Sequence, residues 1–123
     1  MFPRDLEENA FRASNGEFAW TRSQIQRVIE VLFRGGFGIL GGDLWWVRDG
    51  AEGWTGVIPP QRGVPAVYSW ETTRRPSELW FEFVERSAAD SLAAVERWPA
   101  PDDLPPDFVR RILYNLIWTS EHD

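Results

Sequence analysis

Residues 77 to 98 contain neither glycine nor proline, and Pro76 and Pro99 bracket them. A stretch of that length must be one long regular element or a tightly joined pair. Trp80, Phe83, Val84, Ser87, Ala88, Ser91, Leu92 and Val95 form one stripe at helical spacing, sustained for about four and a half turns. Leu79, Phe81 and Phe83 also alternate with Glu78, Trp80 and Glu82, but the alternation then stops. The spacing therefore predicts one long helix over 77–98, and a strand at 78–85 followed by a shorter helix is the weaker pattern. Ser77 can cap this helix, with Glu78 near its positive end. Glu82 with Arg86, and Arg86 with Asp90, have the i,i+4 spacing of helical ion pairs.

A second helix is predicted from Arg22 to Arg34. Thr21 and Gln24 have capping-box spacing, and Ile25, Val28, Ile29 and Leu32 share one face. Gly35-Gly36 can end it, since glycine accepts the left-handed conformation. Asn15-Gly16 before it reads as a turn. Phe37 to Leu40 and Asp43 to Val47 flank Gly41-Gly42, a pattern that predicts a hairpin with a two-glycine turn. Asp49-Gly50 would close its second strand. Gly53 to Val57 can add a short strand, Ile58 to Gly63 is expected to be irregular, and Pro65 to Glu71 reads as one more strand. Pro99 to Pro106 is a proline- and acid-rich connector. A helical turn near 107–111 and a closing strand over 113–119 are expected after it. The fold class is α+β: a small, mostly antiparallel sheet packed with an N-terminal helix and a second long helix. The chain reads as one domain over 1–123, with residues 1–16 as an N-terminal arm.

Composition removes most catalytic chemistries. There is no cysteine, hence no thiol nucleophile, disulfide or thiolate metal site. All 13 cationic side chains are arginine, so a Schiff base and a phosphate-loop lysine are excluded. The glycines of Gly35-Gly36-Phe37-Gly38 and Gly41-Gly42 read accordingly as a helix end and a turn. The one histidine, His122, sits next to the C-terminus, which leaves a serine nucleophile without a base. Asp43, Asp49 and Glu71 could supply a carboxylate pair for glycoside hydrolysis, but the aspartates have ordinary turn roles. No catalysis, cofactor or metal is expected.

The net charge is −6. Residues 71–123 hold six arginines against eleven acids and so carry −5 of it. This balance argues against nucleic acid as a partner, because phosphate binding needs clustered cations. It suits a basic protein partner. No segment is apolar enough to span a membrane or to serve as a signal peptide, so neither a membrane nor a secreted location is expected. With no cysteine, the cytoplasm is.

Eight tryptophans need homes for eight indole N–H groups, in the core or at an interface. The candidate partner-binding residues follow from charge and aromaticity. Glu78, Glu82 and Glu85 follow one another along the long helix opposite its apolar stripe, with Ala89, Ala93 and Glu96 beyond them. Tyr68, Trp70 and Glu71 combine aromatic anchors with a carboxylate, and aromatic residues dominate interface hot spots. Acids around such anchors speed encounter with a cationic partner. A plain solvated helix face and a Trp-rich core explain the same residues without a partner.

The order of these motifs resembles a known family. A helix leads to Ile39-Leu40-Gly41-Gly42-Asp43, then to Val67-Tyr68-Ser69-Trp70-Glu71. A Ser77-Glu78 helix start with Phe83-Val84-Glu85-Arg86-Ser87 inside it follows, and an aromatic strand closes the series. Over residues 17–119 the chain resembles the immunity proteins of bacterial polymorphic toxin systems, in particular the immunity protein 40 family. Its last segment departs from that pattern, being longer and proline-led. The resemblance implies a cytoplasmic α+β protein that binds and neutralises a cognate toxin domain without catalysis. Asp43, Tyr68 and Trp70 match the family's motif positions. A small protein- or ligand-binding adaptor is the alternative function, and a carboxylate-dependent hydrolase the third.

Overall fold

Gln24 closes the first turn of a helix that begins where its capping spacing predicts. Its side-chain oxygen accepts from the Thr21 backbone N–H at 3.3 Å and from the Thr21 hydroxyl at 3.0 Å. The helix, α2 (Arg22–Arg34), ends on a Schellman motif. Phe37 N–H donates to Leu32 at 2.9 Å and Gly36 N–H to Phe33 at 3.1 Å, while Gly36 takes a φ of 79°. Ile25, Val28, Ile29 and Leu32 are buried on one face, as their spacing requires.

The computed structural model describes residues 2–13, 15–47, 54–55, 57–61, 64–97 and 112–122. The remaining elements are α1 (Arg4–Glu8), β1 (Phe11–Arg12), β2 (Phe18–Trp20), β3 (Gly38–Val47), β4 (Trp54–Thr55), β5 (Val57–Gln61), β6 (Val64–Val67), β7 (Ser69–Glu71), α3 (Trp80–Arg97) and β8 (Ile112–Thr119). The main sheet is antiparallel, in the order β1-β2-β8-β3-β4. β7 pairs with β3 as well. The short β4 and β7 thus share the edge of β3 that β8 leaves open. Helices α2 and α3 pack on β3 and on each other. Arg22 joins them by donating to the Val95 and Glu96 carbonyls at 2.8 and 2.7 Å, a cationic cap on the end of α3. The protein is an α+β fold, and no described helix is long and apolar enough to cross a membrane.

The expected hairpin at Gly41-Gly42 does not form. Residues 38–47 make one continuous strand with a bulge at Leu40, where the register to β8 slips between Ile39 and Gly41. The glycines serve close approach rather than reversal. Gly41 adopts a φ of 152°, and a Cβ there would overlap the Trp70 carbonyl oxygen of β7. A Cβ on Gly42 would lie 2.6 Å from the Trp70 indole. The bulge leaves its own backbone groups to be satisfied from elsewhere. Ser87 of α3 accepts the Ile39 N–H at 3.0 Å. The Thr72 hydroxyl donates to the Ile39 carbonyl, and Thr72 N–H donates to Leu40 at 2.9 Å.

Other boundaries shift for local reasons. Ile58 to Gln61, expected to be irregular, belongs to β5. The register slip between Ile58 and Gln61 gives Pro59 and Pro60 a place in a two-stranded ribbon. The strand expected over Pro65–Glu71 breaks at Tyr68 into β6 and β7, which serve different sheets. The long helix exists, but it starts at Trp80 rather than Ser77. Glu82 takes over its capping, accepting the Leu79 N–H at 2.9 Å. Of the expected ion pairs on this helix, Arg86 reaches Asp90 at 3.4 Å, but its main partner is Glu78 instead of Glu82. Residues 1–16, expected as an arm, contribute α1 and β1. Leu6 is fully buried, and its carbonyl accepts the Trp20 indole N–H at 2.9 Å. Asn15-Gly16 is a turn as expected, with Gly16 at a φ of 88°. The closing strand is present as β8. The expectations at Asp49-Gly50, at Gly53, over 99–106 and over 107–111 lie outside the described residues.

The two glycine roles separate experimentally. Gly41→Ala combines backbone strain with overlap on β7 and is expected to cost about 2–3 kcal/mol. Gly36→Ala, with open space around its Cβ, is expected to cost only about 1–2 kcal/mol. Urea unfolding of both variants checks the order.

Candidate functional site

Strand alternation divides the side chains of β3 and β8 between two faces. Leu44, Trp46, Tyr114 and Leu116 enter the core with the helices. Asp43, Trp45, Leu113, Asn115 and Ile117 fall on the opposite face, where Trp45 packs with Ala13, Ala19, Phe11 and Leu113. On this face the pairing places three residues across Asp43: Ser69 of β7, Asp43 itself, and Asn115 of β8. The neighbouring row is Glu71, Gly41 and Ile117. Its central position has no side chain, and a cleft of about 410 Å³ lies there. Leu40, Asp43, Ser69, Glu71 and Ile117 are among the residues that line it. Leu40 and Ile117 are 39% and 47% exposed, which is high for large aliphatic side chains.

The cleft is electronegative. Burial pushes the Asp43 carboxyl above the usual aspartate range; a hydrogen bond with Trp45 opposes this, and the charge of Glu17 adds to it. Among the described residues neither Asp43 nor Glu71 has an ion-pair partner. Asn115 is 1% exposed, and its Nδ2 donates to the Phe18 carbonyl at 2.8 Å. Its Oδ1 is buried and accepts no hydrogen bond from the described residues.

The sequence-selected residues separate into three groups. Asp43 and Glu71 meet at the cleft. Tyr68 and Trp70 face the helices instead: both pack against the main core, and the Trp70 indole donates to Ser91 of α3 at 3.2 Å. Glu78, Glu82 and Glu85 lie elsewhere, at the start of α3. Glu78 sits ahead of the helix, and its side chain is 9% exposed. Its two oxygens take Arg86 Nε at 2.7 Å and Arg86 Nη2 at 2.8 Å, and Oε1 also accepts the Arg75 N–H at 3.1 Å. The Arg86 hydrogen bond is the main reason its carboxyl is held down to about 2. Arg86 also donates to the Thr73 carbonyl at 2.7 Å, so Glu78 fastens the 72–79 connection onto α3. Glu82 caps the helix, and Glu85 is exposed on it. Glu17, Leu40, Asn115 and Ile117 were not selected from the sequence. The available signal was Asn115, a lone amide inside the apolar run Tyr114 to Trp118.

Among the described residues, no group of three or more histidine, aspartate or glutamate side chains is arranged to hold a metal ion. Compared with protein-family models, with curated proteins and with solved structures, the chain matches none of them.

The two carboxylates should respond to acid in opposite senses. Glu78 is more acidic folded than unfolded, so it contributes stability above its ordinary value near 4.5 that is lost as pH falls toward 2. Glu78→Gln is expected to lower stability at pH 7 and to flatten that acid limb. The Asp43 carboxyl is raised in the fold, so its ionisation opposes folding at neutral pH. Asp43→Asn is expected to raise the unfolding midpoint at pH 7, with the gain vanishing once the ordinary carboxyl range is passed on acidification. Urea titrations from pH 3 to 7 measure both.

Proposed function

We propose that this protein is a cytoplasmic, non-catalytic inhibitor of the immunity type, which neutralises a cognate bacterial toxin domain by covering it stoichiometrically. The observation that carries the reading is the cleft between β7 and β8. Its carboxylates have no counter-ion among the described residues and stand beside exposed aliphatic side chains, on a sheet face away from the helices. Asp43 faces a partner from there, while Tyr68 and Trp70 hold β7 in place behind it. The motif order shared with the immunity protein 40 family supports the same reading. An inhibitor must capture its target before the target acts. Unpaired acids raise the association rate toward a basic domain, and the apolar rim slows release.

A second reading draws on the same pair. Asp43 and Glu71 stand diagonally across adjacent strands, and two carboxyl groups, one of them partly buried, flanking a cleft are the parts of an acid–base hydrolase. Turnover of a glycoside by the purified protein, lost in Asp43→Asn, would replace the inhibitor reading with this one.

The primary test is genetic and biochemical. A gene next to the one for this chain should encode a large secreted protein with a variable C-terminal domain. Co-expression with that domain should rescue cells from it, and the two should co-elute as a 1:1 complex. The association rate should fall several-fold between about 50 and 500 mM salt, because the attraction is screened. Rescue absent together with no complex at micromolar concentration would reject the proposal, and a complex without rescue would make the protein an adaptor.

A further inference from the structure

Asn15-Gly16 is a turn that also carries chemistry of its own. The backbone nitrogen that follows an asparagine can attack the side-chain carboxamide, and a side chain on the residue bearing that nitrogen hinders the approach. Of the three asparagines, Asn9 precedes Ala10, Asn115 is buried and precedes Leu116, and Asn15 precedes a glycine, which has no side chain. Asn15 is also exposed. The fold holds the two reacting groups apart. The Gly16 N–H donates to the Ala13 carbonyl at 3.0 Å. The Asn15 carboxamide turns forward onto Glu17: its Oδ1 accepts the Glu17 N–H at 3.0 Å, and its Nδ2 donates to Glu17 Oε2 at 2.6 Å. The Ala13 N–H, donating to the Glu17 carbonyl at 2.9 Å, closes the turn between β1 and β2. The nitrogen and the carboxamide carbon can meet only after the Gly16 bond and both Glu17 bonds are released.

We propose that Asn15-Gly16 is a latent deamidation site, at which the chain converts to aspartate and isoaspartate only while the 13–17 turn is open. In the open turn the Gly16 nitrogen gives up its proton and bonds to Asn15 Cγ, the Cγ–Nδ2 bond breaks, and ammonia leaves with that proton. Water then opens the five-membered imide at one of its two carbonyls, which leaves aspartate or isoaspartate at position 15. No oxidant or reductant takes part. Glu17 is the latch, because it holds both ends of the carboxamide. The product cannot be latched again: a carboxylate has no N–H to donate and stands beside the Glu17 carboxylate as a like charge. The change reaches the core through Ala13, which packs with Trp45. It also adds a negative charge where Glu17 already acts on Asp43. The site thus lies outside the cleft but bears on it.

The whole protein is incubated in mildly alkaline buffer beside acetyl-Ala-Ser-Asn-Gly-Glu-Phe-amide, which has the sequence of residues 13–18 without the fold. Intact mass and peptide mapping follow the conversion, and an isoaspartyl methyltransferase assay identifies the products. The protein should convert at Asn15, giving both products, at least about tenfold more slowly than the peptide, since three hydrogen bonds must open first. Asn9 and Asn115 should stay intact over the same period. Glu17→Ala, at a half-buried position, removes the carboxylate from the latch and should speed conversion several-fold. Faster hydrogen exchange at the Gly16 N–H of that variant is the independent sign of an open turn. Asn15→Asp, a stand-in for the product, should show the same faster exchange. Equal rates in protein and peptide would overturn the proposal, as would conversion that Glu17→Ala leaves unchanged or slows. Aspartate as the single product would also overturn it, because that outcome requires direct attack by water on the carboxamide.

Discussion

The bulge in β3 is the constraint on which the other elements depend. One additional residue at Leu40 shifts the register to β8, and everything nearby is arranged to satisfy what the shift leaves open. Ser87 reaches the Ile39 N–H from α3, and Thr72 reaches the Ile39 carbonyl from the connection that follows β7. Those two bonds tie the helix layer and the sheet edge to the same backbone position. The glycines beside the bulge let β7 approach more closely than a side chain would permit. Trp70 can then lie over Gly42 and reach Ser91, so α3 is held against the sheet by polar contacts inside an apolar layer. Buried hydroxyls at Ser87 and Ser91 would weaken the helix face if unmatched; here each has a partner.

The same geometry explains why two kinds of acidic residue coexist in one small protein. Glu78 is enclosed by an arginine fork and a backbone N–H, and its charge serves the fold. Asp43 has the opposite environment: partial burial, a neighbouring negative charge and no cation among the described residues. A carboxylate held against its own electrostatic preference weakens folding. Charge count alone does not distinguish these cases. The acidic C-terminal half contains Glu78, yet the unneutralised cleft depends on Asp43 from the middle of the chain.

Much of the architecture was legible because it is local. Helix α2 announces itself by capping spacing, an apolar stripe and a glycine pair, all within sixteen residues or so of chain. Helix α3 is legible by persistence of period, and β8 by its β-prone composition. The continuous, bulged β3 was not, because Gly41-Gly42 carries the same local signal for a tight turn and for a bulge. The choice between them is made by β8 and Trp70, which are distant in sequence. The start of α3 was displaced for a similar reason. Ser77 is a good cap by type, but Glu78 pairs with Arg86 and the Leu79 N–H is capped by Glu82, contacts that lie beyond the local spacing of Ser77. Tyr68 and Trp70 share a segment with Glu71 but not a face. The strand expectation already implied alternate sides; which side met the helices depended on the layer order.

The cleft follows from these tertiary choices rather than from a motif. Had Gly41 been a turn residue, Asp43 would have begun a new strand and Ile117 would have had another neighbour. Because β3 runs straight through, Gly41 sits between Glu71 and Ile117, and Asp43 between Ser69 and Asn115. The bulge that binds the layers together therefore also leaves a gap in the opposite face, and the side chains around that gap are acceptors and aliphatic walls. Two consequences converge on one glycine: the absence of a side chain that lets β7 close on β3 also opens the cleft on the opposite face.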